Sequence, residues 1–127
     1  MTFTPTMAVD KGRISTECHN GCTILVCDYS NLEGDEIFAF MRMIEVHVQS
    51  AAPKSLCVLD IVHNVKVNTR SYKQLFHLAQ AIQPYVLRWA AMGAAAFALC
   101  KEVSTEDFQL VHFWSREEAI RYLTEPD

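Results

Sequence analysis

The sequence has no apolar run long enough to cross a membrane. Its most apolar stretch, WAAMGAAAFALC from Trp89 to Cys100, falls well short of the roughly 20 residues a spanning helix takes, so we expect buried core and no membrane insertion. It also lacks an excess of positive charge. Lys and Arg number 11 against 15 Asp and Glu, for a net charge of −4. The basic positions are scattered, which excludes a general binder of nucleic-acid backbones. The opening residues, MTFTPTMAVDKGR, show no basic start followed by an apolar stretch, so we expect neither a signal nor a transit sequence, and a cytoplasmic location. There is no glycine-rich phosphate loop, nucleophile elbow, internal repeat or low-complexity segment. With half its residues hydrophobic and a fifth charged, the chain is no disordered tail, and 127 residues suit one domain.

What is present begins with five cysteines, an odd number that suits reduced thiols better than a disulfide framework. Three of them fall in ECHNGCTILVCD, Glu17 to Asp28, together with His19. Asn20-Gly21 inside that stretch is a strong hairpin signal, because a two-residue type I′ turn needs positive φ at both central positions. The turn would pair His19 with Cys22, Cys18 with Thr23 and Ile14 with Cys27, so Cys18 and Cys22 point to opposite faces. Structural zinc takes ligands in two spaced pairs, and no second pair follows. We therefore expect no metal here and read the cysteines as small hydrophobes in a hairpin.

Beyond the hairpin, strands and helices alternate, which predicts an α/β domain with a mixed sheet over residues 11–127, preceded by a loose tail over 1–10. In LEGDEIFAFMRMIEVHVQS the helical spacing puts Ile37, Phe40, Met41, Ile44 and Val48 on one face, with Asp35 as N-cap and Pro53 beyond the end. SLCVLDI, Ser55 to Ile61, reads as a central strand covered on both sides. A second helix starts near Asn68-Thr69, with a stripe of Tyr72, Leu75, Phe76, Ala79 and Ile82, and stops at Pro84. YVLRWAAM is expected as a strand, AAAFALCKEV as a short helix and FQLVHFW, Phe108 to Trp114, as the last strand. Ser115 followed by Glu118 is a capping box opening the final helix, EEAIRYL.

This element order, together with DYSNLEGDE, LCVLDI, the PYV step and the ending HFWSREEAIRYL, resembles the STAS-like superfamily, typified by bacterial anti-sigma-factor antagonists. The likeness spans roughly Arg13 to Leu123 and consists of patterns of hydrophobicity and turns. It implies that a loop after the strand carrying Asp60 delivers a phosphorylatable hydroxyl to the start of the next helix. The family's Asp-Ser-x-Gly-Leu there corresponds to Asn68-Thr69-Arg70-Ser71-Tyr72, so a hydroxyl is kept while the recognition pattern is largely lost. On this resemblance Thr69 and Ser71 are phosphorylation candidates, and Asn68, Thr69, Arg70 and Ser71 are partner-binding candidates. Capping of the helix by Asn68 or Thr69 accounts for the same residue types.

The leading expectation is a non-enzymatic regulatory module that binds another protein and uses no cofactor. The alternative is a small apolar ligand or lipid binder of CRAL-TRIO-like type, suggested by Phe38, Met41, Met43, Phe76, Trp89, Met92 and Phe97. Catalysis would need Cys57 or Cys100 to meet His63, His77 or His112, or Asp28 to meet Asp60. Asp28 and Asp60 end apolar strands at what we expect to be one sheet edge, where open α/β sheets place ligands, and Asp28 also faces Arg13 across the hairpin. The hairpin's outer strand leaves a homodimer open, unless its charges keep it solitary.

Overall fold

The turn at Asn20-Gly21 sets the first pairing: φ is +51° at Asn20 and +80° at Gly21. In the computed structural model, which describes residues 11–66, 68–106 and 108–126, β1 (Ile14–His19) and β2 (Cys22–Asp28) pair antiparallel with Ile14 opposite Cys27 and His19 opposite Cys22. The remaining strands, β3 (Leu56–Ile61), β4 (Val86–Met92) and β5 (Leu110–Phe113), are parallel to β2 and to each other, giving one five-stranded mixed sheet in the order β1-β2-β3-β4-β5. Helices α1 (Asp35–Gln49), α2 (Thr69–Ile82) and α3 (Ala96–Val103) connect successive parallel strands, and α4 (Arg116–Leu123) follows β5. The result is a single α/β domain. The tail expected over residues 1–10 lies outside the described residues.

Alternation along the strands divides the core in two. Leu25, Cys27, Val58 and Trp89 face α1, α2 and α3, and the larger cluster forms there. Ile24, Val26, Cys57, Leu59 and Ala90 face α4, which covers them with Ala119 and Leu123. A strand buried on both sides favours apolar residues, which is why β3 reads as an apolar run broken only by Asp60.

The expected stripe of α1 is the observed one: Ile37, Phe40, Met41, Ile44 and Val48 are buried. Its N-cap, however, is Gly34 rather than Asp35, which becomes the first helical residue. On α2 the buried face is Ser71, Leu75, Leu78, Ala79 and Ile82, while Phe76 stays 40% exposed. The predicted stripe was thus rotated, because Phe76 and Leu78 both fit helical spacing and only packing against the sheet chooses between them. The last strand is shorter than expected. Phe108 precedes it, buried and stacked on Trp89 at 5.6 Å, and Trp114 follows it, 68% exposed. The cap forms as read in one half: Ser115 Oγ accepts from the Glu118 amide at 3.2 Å, while the Glu118 carboxylate accepts from the Ser115 hydroxyl at 3.1 Å and not from its amide.

Candidate functional site

The carboxyl ends of the parallel strands carry most of the residues singled out from the sequence. Cys27, Asp60 and Ala91 lie side by side on β2, β3 and β4 in the strand register. They therefore share the face covered by α1, α2 and α3. Asp28, one residue beyond Cys27, belongs to the opposite face. The two aspartates share an edge of the sheet but not a face, so they do not form the paired carboxylates considered above.

Asp28 builds a turn. Its Oδ1 accepts from the Ser30 amide at 2.9 Å. The cross-hairpin ion pair with Arg13 does not form. The guanidinium instead donates from Nη1 to the main-chain carbonyls of Asp28 and Ser30, at 3.0 and 2.7 Å. Carbonyls exposed where a strand gives way to a loop are orphaned acceptors, and a guanidinium with several donors meets two of them at once.

Asp60 is only 4% exposed, and Trp89 Nε1 donates to its Oδ2 at 2.8 Å. Burial pushes its carboxyl up to about 7, against hydrogen bonds from Trp89 and the Cys27 thiol that favour the charged form. Burial and then the nearby Asp60 charge raise Cys27 as well, and push the Cys100 thiol up to about 12. Tyr29 is raised by the same two causes, and its buried hydroxyl has no hydrogen-bond partner among the described residues. A cavity of about 30 Å³ adjoins Tyr29, Asp60 and Ser71 beneath the start of α2. Its walls are otherwise mostly aliphatic.

Cys100 is thus a protonated thiol at neutral pH and a poor nucleophile. Cys57 lies on the α4 face and donates to the Leu123 carbonyl at 3.2 Å. Among the histidines, His112 Nε2 contacts the Gly93 carbonyl at 3.0 Å, and His63 and His77 are exposed.

At the start of α2 the structure separates the candidates. Asn68 is the N-cap: its Oδ1 accepts from the Ser71 amide at 2.9 Å and from Ser71 Oγ at 3.2 Å. Ser71 is buried, with its hydroxyl committed to the cap, so a kinase reaches it only if the first turn opens. Asn68, Thr69 and Arg70 are exposed. The two loops beside this turn are tied together, with Asn64 Nδ2 donating to Asn31 Oδ1 at 2.7 Å and the Asn31 amide to the His63 carbonyl at 3.0 Å. We expect Asn68→Ala to cost about 1 kcal/mol in urea denaturation, since it removes the cap's acceptor while leaving the helix's apolar face intact.

Two features of the site escaped the sequence. The Trp89–Asp60 hydrogen bond joins residues that each sit within an apolar run, and no local pattern pairs them. The clustering of Arg70, Lys73 and His77 on one face of α2 was readable as i, i+3, i+7 spacing, but their neighbour Arg42 comes from α1. No family model, no curated protein and no solved structure matches this chain.

Proposed function

We propose that this chain is a non-enzymatic regulatory module of the cytoplasm, akin to the STAS-like anti-sigma-factor antagonists, that meets a partner protein through the amino-terminal turn of α2. One observation carries the proposal. Asn68, Thr69 and Arg70 stand exposed on a capped, sheet-backed turn, while Asp60, Cys27 and Cys100 behind them are withdrawn from solvent. A capped, exposed turn backed by a packed core suits recognition, and neutral buried thiols do not suit covalent chemistry.

Thr69 is the residue to carry a switch. It is the first residue of α2, where a phosphate gains from free amide donors and the helix dipole, and Lys73 lines the same groove one turn on. The test is crosslinking and pull-down with wild type, Thr69→Ala and Thr69→Glu in the cells that make the protein, with peptide mapping for phosphate. We expect a specific partner whose recovery by Thr69→Glu changes about tenfold, the range of an ordinary coupling between sites. Absence of a partner, or equal recovery by all three proteins, would overturn the proposal.

An apolar ligand in the core finds less support. The cavity of about 30 Å³ under α2 has room for little more than a water molecule, where drug-sized ligand pockets run to roughly 300–1,000 Å³.

A further inference from the structure

Facing surfaces of α1 and α2 leave a groove of about 250 Å³ whose floor is Phe38, Met41 and Leu78. Four basic side chains edge it. Arg70, Lys73 and His77 follow one another along a single face of α2, and Arg42 stands across from them on α1. Among the described residues, Arg42 and Lys73 take part in no ion pair. Arg70 meets Asp35 at 3.5 Å, but both side chains are largely solvated, so that pair is weak. Glu45, the acid within the groove, has its Oε2 engaged by Gln49 Nε2 at 3.4 Å.

This concentration runs against the rest of the molecule. The chain as a whole is acidic, with acids outnumbering Lys and Arg by 15 to 11, yet here like charges are held a turn apart on α2, an arrangement that opposes folding. A solvated helix face needs no such bias. Phe38 adds an apolar contact in the middle of it, 37% exposed, with the Arg70 guanidinium 5.9 Å from its ring centre. An exposed phenylalanine over buried Met41 and Leu78, with a cationic rim, complements a segment that has carboxylates around an apolar side chain.

We infer that the groove between α1 and α2 is the docking site for an acidic segment of a partner protein, anchored by an apolar side chain against Phe38. The inference rests on the proposed interaction role and names the chemistry of the partner. Because Arg70 belongs both to the groove and to the exposed turn, a phosphate on Thr69 would compete with the segment's carboxylates for the same cations.

The probe is a short fluorescein-labelled peptide of glutamates interrupted by leucines, titrated with the full chain by fluorescence anisotropy. We expect saturable binding that weakens with salt, falls about tenfold or more in Arg42→Glu/Lys73→Glu, and falls separately when the leucines become serines. The control, Lys101→Glu/Arg121→Glu, makes the same change in net charge on α3 and α4 and should bind like wild type. Equal losses in the two double variants would reduce the effect to bulk charge and overturn the inference. So would no binding by the folded wild type, or tighter binding of a single-stranded oligonucleotide than of the peptide. If the partner captured through Thr69 still binds Arg42→Glu/Lys73→Glu, the groove inference fails while the interaction role stands.

Discussion

Gly93→Ala is expected to destabilise the protein by about 3 kcal/mol or more, lowering the urea midpoint with little change in slope. Gly93 follows β4 with φ +111°, and a Cβ placed there would lie 2.2 Å from the Val62 carbonyl oxygen and 2.7 Å from its carbon. Those atoms are main chain and cannot swing aside as a side-chain tip would. They also continue the pairing of β3 with β4, since the Val62 amide donates to the Met92 carbonyl at 2.8 Å. Relieving the clash therefore means separating two central strands just where His112 leans on the Gly93 carbonyl. Gly21→Ala is the informative comparison: φ is +80°, but among the described residues nothing lies within 4 Å of the added carbon. It should cost only about 1–2 kcal/mol, the ordinary penalty for a side chain in left-handed backbone. Equal losses at the two glycines would mean that the close approach to Val62 is not what constrains Gly93.

The second large effect is on pH dependence. The Asp60 carboxyl binds its proton up to about pH 7 in the folded chain, against a usual 3.8. Between those values the unfolded chain has released the proton and the folded chain has not, so fewer protons are bound in the unfolded state and stability falls as pH rises. The contribution is fully present below about pH 4 and gone above pH 7. At ~1.36 kcal/mol per pH unit the interval amounts to roughly 4 kcal/mol. Glu17 opposes this trend at the acid end. Arg116, donating to its carboxylate, and then His19 lower its proton affinity, so its contribution is lost as pH falls.

Asp60→Asn isolates the aspartate, because the amide keeps an acceptor for Trp89 Nε1 and carries no charge. Stability of wild type minus that of Asp60→Asn, from urea unfolding at a series of pH values, should decline by a few kcal/mol from pH 4 to 7 and then level off. Above pH 7 the variant should be the more stable protein, since it removes a buried charge. A flat difference across that range would show that the carboxyl ionises in the folded chain as easily as in water.

The hairpin, its register, the buried stripe of α1 and the capped start of α4 were determined by the sequence itself. Each depends on residues within a turn or two of one another: Asn20-Gly21 for the turn, 3.6-residue spacing from Ile37 to Val48, and Ser115 with Glu118. Asn68 could be read in the same way, because a cap is a contact between near neighbours. The tertiary structure decided the rest. Ser71 turned inward with the cap, and Phe76 turned out while Leu78 turned in, because the sheet fixes the rotation of α2 where periodicity allows more than one. Asp60 acquired its high proton affinity from burial among side chains of other elements, and its donor, Trp89, is 29 residues away in sequence. Arg42 meets the basic face of α2 only because two helices pack side by side on the same sheet. Local rules specify how each segment turns; desolvation and electrostatics depend on what surrounds a group in space, which only the assembled fold supplies.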